Sequence, residues 1–108
     1  NTAWKGTLEA TFNAQVSFVD EVVKNVTTEL KAQGLWDNSV VVWTTDNGAP
    51  VQVAGSNHPL RGGKGFSWEG GVRTPTFVTG GRLPKGMAGK SIDGIAHIAD
   101  WYATFAGL

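Results

Sequence analysis

Twelve of the fifteen glycines in this 108-residue chain fall between Gly48 and Gly94. Each glycine inside a helix or strand costs roughly 0.5–1 kcal/mol relative to alanine. The centre of the chain is therefore loop by composition, and regular elements belong mainly to its flanks. Loops of this length are usually functional or disordered. Charge divides along the same line. Residues 1–37 carry three bases and five acids, whereas residues 61–90 carry six bases and one acid, Glu69. A formal net charge of zero conceals this basic centre, and it argues against bulk binding to nucleic acid or an anionic membrane. The chain has no cysteine, which excludes a disulfide framework, a thiol nucleophile and a cysteine-type zinc site within it. No apolar run reaches the roughly 18–20 residues needed to span a bilayer, and no signal segment opens the chain.

The first flank reads as a helix. Phe12, Val16, Val19, Val23, Val26 and Leu30 recur at spacings of three and four and make one apolar stripe. Thr11 or Asn13 is the expected cap, and Gly34 the expected left-handed stop. Valine is a poor helix former, so this helix depends on packing. A turn at Trp36-Asp37-Asn38 leads into Ser39–Thr45, a continuous β-branched and aromatic run. Such a run predicts a strand buried on both faces, as in a parallel sheet covered by helices. Helix, short loop and buried strand make one step of an α/β fold. Thr76–Thr79 reads as a second short strand. The spacing of Ile95, Ile98, Trp101 or Tyr102, and Phe105 predicts a closing helix within Ile92–Leu108.

Several constellations in the centre suit chemistry. Asp46-Asn47-Gly48 sits where the first strand ends, the end at which open α/β sheets bind ligands. Its carboxylate and amide oxygens are hard donors suited to Ca²⁺ or Mg²⁺. The same triplet also makes a plain turn. Leu60-Arg61-Gly62-Gly63-Lys64-Gly65 places an ammonium among glycines whose N–H groups can cradle an anion. It does not match the P-loop spacing, and a solvated loop is the alternative. Glu69 and Arg73, four apart, fit an ion pair that orders the loop, with Trp68 as a packing anchor. His58 and His97 are the two histidines. His58 lies in the loop before Pro59, and His97 suits a packed or capping role. Asn25-Val26-Thr27 is an N-glycosylation triplet on the side of the helix away from the stripe.

Taken in order, these segments resemble the sulfatase family of the alkaline-phosphatase-like superfamily, and its arylsulfatase branch most. The residues that carry the likeness are Val19–Val23, Gly34–Ser39, Thr45–Gly48, Pro59–Gly65, Trp68–Pro75 and His97–Thr104. The resemblance implies an α/β fold: amphipathic helix, buried strand, long Gly-rich loop, short strand and closing helix. It implies that Asp46 and Asn47 are ligands of a divalent metal, with Ca²⁺ favoured over Mg²⁺. It implies that Lys64 contacts the sulfate group, and that Glu69 and Arg73 are structural support. The implied substrate is a sulfate-ester small molecule or a sulfated glycan.

The family's nucleophile is a formylglycine made from Cys or Ser in a C/S-x-P/A-x-R motif. Two acidic metal ligands, a His and a Lys also precede the helix in family members. The sequence contains none of these, so residues 1–108 are expected to be the later part of a single catalytic domain, inactive alone. The parent is expected to be secreted, lysosomal or periplasmic. A phosphate or phosphonate ester hydrolase of the same superfamily, and a non-catalytic scaffold, remain the competing readings.

Overall fold

The computed structural model describes residues 2–53 and 55–108. Its elements run α1 (Thr2–Ala32), a short 3-10 turn (Trp36–Asn38), β1 (Val41–Thr44), α2 (Glu69–Val72), β2 (Thr76–Thr79) and α3 (Asp100–Ala106). Helix and a small sheet are thus mixed, as an α/β reading requires.

Helix α1 is 31 residues long, about 46 Å at 1.5 Å per residue. That length accounts for most of the molecule's 51 Å long axis. The helix starts well before Thr11 and Asn13, so neither residue caps it. Instead the Thr11 hydroxyl donates to Thr7 O (2.9 Å), and the Ser17 hydroxyl to Asn13 O (3.0 Å), inside the helix. The predicted stop is found. Gly34 has φ +68°, Leu35 N–H donates to Leu30 O (2.8 Å) and Gly34 N–H to Lys31 O (3.1 Å). These are the two bonds of a Schellman motif. The Lys31 ammonium then sits 4.6 Å over the Trp36 ring, fixing the exit from the helix.

β1 and β2 pair antiparallel in the register Val41↔Thr79, Val42↔Val78, Trp43↔Phe77 and Thr44↔Thr76. Cross-strand pairs hold the ribbon. Trp43 stacks on Phe77 with centroids 5.4 Å apart, and the Thr44 and Thr76 hydroxyls lie 2.7 Å apart. The ribbon extends beyond its ends through Thr45 N–H to Pro75 O (3.3 Å) and Gly81 N–H to Trp36 O (3.1 Å).

Burial of the first strand on both faces, with a parallel neighbour, is not what the described residues show. Val41, Val42 and Trp43 are only half-buried. The connection from Thr44 to Thr76 returns to the end it left, with no crossover helix to carry it back, and that geometry makes the pairing antiparallel. The closing helix is also shorter than predicted. Residues 92–99 are not helical, and Ile92, Ile95 and Ile98 stand exposed. Gly94 weakens that segment, and no surface receives its isoleucines. His97 bonds locally, ahead of α3. Its Nδ1 accepts from Ala99 N–H (3.2 Å), while Asp100 Oδ2 accepts from His97 N–H (2.7 Å). These two bonds close the turn that leads into α3, whose own N-cap residue, Ala99, makes no side-chain cap bond.

Among the described residues no apolar side chain is fully buried. The accessible surface is 8862 Å², against about 5800 Å² for a folded monomer of this length. The radius of gyration is 16.9 Å, against about 13 Å for a compact domain of this size. The apolar stripe of α1 is correspondingly open, with Phe12, Val16, Val19 and Val26 all exposed. Val22, Val23 and Val26 meet Val41, Val42 and Trp43 across a shallow apolar hollow.

Candidate active site

The glycine-rich centre is the most tightly tied part of the chain. Three segments meet there: the turn after β1 (46–49), the loop 57–65, and α2 with its flanks (68–73). Gly48 N–H donates to Gly71 O (3.0 Å), Gly70 N–H to Arg61 O (2.8 Å), and Lys64 N–H to Ala49 O (3.1 Å). Such close main-chain approach has a steric requirement. A Cβ on Gly48 would overlap Gly70 O, one on Gly63 would overlap Ala49 O, and one on Gly71 would overlap Phe66 O. Gly63, Gly70 and Gly71 are the buried residues of this region. The glycines are therefore packing residues here, not signs of a loose loop.

Asp46 and Asn47 project from this frame where β1 ends. Asp46 is exposed, and its Oδ1 accepts from Asn47 N–H (2.9 Å). The Asn47 side-chain amide, foremost, holds the Asp46 carboxyl below the usual carboxylate range; slight desolvation opposes it, and backbone N–H groups and the Lys64 charge assist. The carboxylate is thus ionised at neutral pH. It lies near enough to the Lys64 ammonium to feel its field. The turn and the lysine loop, separate in sequence, are tied together by the Lys64 N–H to Ala49 O bond.

The donors present suit a hard cation. They are an exposed, ionised carboxylate and a neighbouring carboxamide, both oxygen ligands. No thiolate is available, since the chain has no cysteine. Two residues fall short of the six to eight oxygens that calcium takes. Among the described residues no cluster of three or more His, Cys, Asp or Glu side chains is found.

The other predicted residues flank this pair. Glu69 and Arg73 form the predicted ion pair (3.5 Å) across α2, with both side chains about two-thirds exposed. A pair of that kind contributes at most about 0.5 kcal/mol. Trp68 packs its Cβ against Gly62, and the Arg61 guanidinium lies 3.8 Å from its ring centroid. Arg61 and Trp68 thereby clasp the lysine loop to the start of α2. His58 is exposed, and its backbone N–H donates to Ser56 Oγ (3.3 Å). Asn25 is exposed on α1, away from this region. The Thr27 hydroxyl of its triplet donates to Val23 O (2.9 Å).

Sequence reasoning missed Asn57. Its Oδ1 accepts from Ala49 N–H (2.8 Å), and its Nδ2 donates to Ala49 O (2.7 Å) and Gly62 O (3.1 Å). The only signal was an amide-bearing residue set in a glycine-rich loop before His58-Pro59, and turns commonly contain such residues.

A sequence model of the family described as Sulfatase matches residues 7–108. The chain belongs to the sulfatase family. This sulfatase chain is 43% identical to mouse arylsulfatase J over 98 residues, which cover 90% of the chain and 16% of that protein. It is 34% identical to mouse steryl-sulfatase over 110 residues, covering 94% of the chain and 17% of that protein. It is 32% identical to dog N-acetylgalactosamine-6-sulfatase over 95 residues, covering 83% of the chain and 18% of that protein. The chain therefore spans about a sixth of the length of the curated relatives it matches. No helix among the described residues is long and apolar enough to cross a membrane.

Proposed function

We propose that this sulfatase chain is one part of a larger catalytic domain, and that the whole protein hydrolyses a sulfate ester. The observation that carries the reading is the shared anchoring of its two charged elements. The Asp46–Asn47 turn and the Lys64 loop meet at one carbonyl, Ala49 O, which accepts from Lys64 N–H. A carboxylate-bearing turn and a lysine-bearing loop are thereby tied together at the main chain, which supports a reading in which one binds a metal and the other a sulfate. The open apolar faces of α1 and the β1–β2 ribbon support the remainder of the proposal, because they are faces that more polypeptide would cover.

In this reading Asp46 and Asn47 hold a divalent cation, with Ca²⁺ favoured, through their side-chain oxygens. When bound, that cation supplies Lewis-acid neutralisation of negative charge on the sulfate. Lys64 supplies a fixed positive charge from the glycine-lined loop and favours the more anionic transition state over the ground state. Asp46, kept ionised by Asn47, sets the electrostatic balance on the other side. The nucleophile, expected to be a formylglycine, and the remaining metal ligands come from outside residues 1–108. The substrate is a small sulfate ester or a sulfated glycan. The setting is secreted, lysosomal or periplasmic. Exposed Asn25 in its acceptor triplet suits a secretory route.

The test is Lys64→Ala in the full-length protein with an aryl sulfate as substrate. Loss of one such charge contact is expected to lower kcat/KM by roughly 10²-fold or more, with partial recovery in Lys64→Arg. Unchanged hydrolysis by Lys64→Ala would remove Lys64 from the site and overturn the assignment.

A further inference from the structure

Asp46 and Asn47 precede Lys64 by 18 and 17 positions in sequence, so something must hold their spacing. We infer that Asn57 is the positioning residue of the site, setting the Asp46–Asn47 turn against the Lys64 loop through one carboxamide; this rests on the metal and sulfate roles proposed above.

The geometry is specific to an amide. Ala49, three residues after Asp46, presents both its N–H and its carbonyl to Asn57. The carboxamide answers with an acceptor for the first (2.8 Å) and a donor for the second (2.7 Å). The same Nδ2 reaches Gly62 O (3.1 Å), two residues before Lys64. Lys64 N–H closes the ring on Ala49 O (3.1 Å). One side chain thus completes hydrogen bonds to both loops, where buried backbone groups left unpaired would each cost about 1–3 kcal/mol. The pocket around it is equally exacting. A Cβ at Gly63 would come within 2.7 Å of Asn57 Nδ2, and one at Gly48 within 3.1 Å of Oδ1. Two glycines therefore make room for the amide, and the amide repays the room with three bonds. Aspartate has the same shape but no N–H to donate, and would set a carboxylate against the Ala49 and Gly62 carbonyl oxygens. The bonds of Asn57 run to the main chain of Ala49 and Gly62, so its proposed action on the site is through those residues.

Outer residues that orient metal ligands typically contribute 10- to 100-fold in affinity or activity. The experiment uses the full-length protein, with Ca²⁺ alone as the probe, followed by titration calorimetry, and with circular dichroism to select the folded state. Asn57→Ala is expected to weaken Ca²⁺ binding by about 10- to 100-fold and to lower kcat on an aryl sulfate more than it raises KM. Asn57→Asp is expected to fail in the same direction despite its matching shape. If Asn57→Ala does not fold, Asn57→Asp carries the test. Asp46→Ala is the control for the underlying reading. If Asp46→Ala leaves Ca²⁺ affinity unchanged, the metal assignment falls. If Asp46→Ala abolishes binding while folded Asn57 variants bind and turn over normally, the positioning role alone is overturned. A lower melting temperature with unchanged Ca²⁺ affinity would reduce Asn57 to a purely structural tie and would likewise overturn it.

Discussion

Helix α1 and the glycine-rich centre differ in how they are held. The helix has 31 residues of regular hydrogen bonding, yet its apolar stripe is largely open to solvent. The centre has little regular structure, yet its buried glycines interlock and its amides reach across segments. Regularity and integration are thus separate properties. A helix satisfies its own backbone within one segment. An irregular loop has no internal ladder, so it is ordered only where other loops complete its hydrogen bonds.

Substituting glycine by alanine in the two regions sets this contrast against measurement. Gly48→Ala forces a methyl group into Gly70 O. It is expected to destabilise the full-length protein by at least the upper part of the roughly 1–3 kcal/mol range for overpacking, as read by denaturant unfolding. Gly6→Ala meets nothing within 4 Å on exposed helix surface. It is expected to stabilise by about 0.5–1 kcal/mol through helix propensity. If both substitutions proved neutral, the two regions would not differ in packing as described. A smaller effect in the centre depends on pH. Asp46 has a depressed native pKa, so its contribution is present above the ordinary carboxylate range. That contribution is lost as pH falls through its native value. Asp46→Asn should flatten the acid limb of the stability curve slightly, as read by denaturant unfolding followed across pH.

The sequence was most legible where a single element decides its own form. The 3.6-residue period of α1, the left-handed Gly34 and the β-branched run before Asp46 are local signals, and the structure contains each. The strand Thr76–Thr79 appears with the expected bounds. Legibility failed where a neighbour decides. Ile92, Ile95 and Ile98 have helical spacing, but Gly94 interrupts the run and all three isoleucines stand exposed, so nothing offsets the glycine's cost. The antiparallel partner of β1 was hidden because the path of the intervening loop determines strand direction. Of the proposed site, Asp46, Asn47 and Lys64 stand out in the sequence by residue type and motif. Asn57 does not, because its importance lies in the two separate main-chain segments that its amide faces, and no spacing rule encodes that.

The close main-chain contacts of Gly48, Gly63, Gly70 and Gly71 have a consequence for how such a site diversifies. The frame between carboxylate and ammonium is made of peptide groups, so it does not shift with the choice of side chains around it. Positions such as Gln52 and Val53 are exposed beside that frame, and on the proposed reading they are the ones whose change alters what a substrate meets. On the proposed reading the site works like a fixed chuck with exchangeable jaws: the grip on the sulfate group stays constant while the shape offered to the rest of the substrate varies.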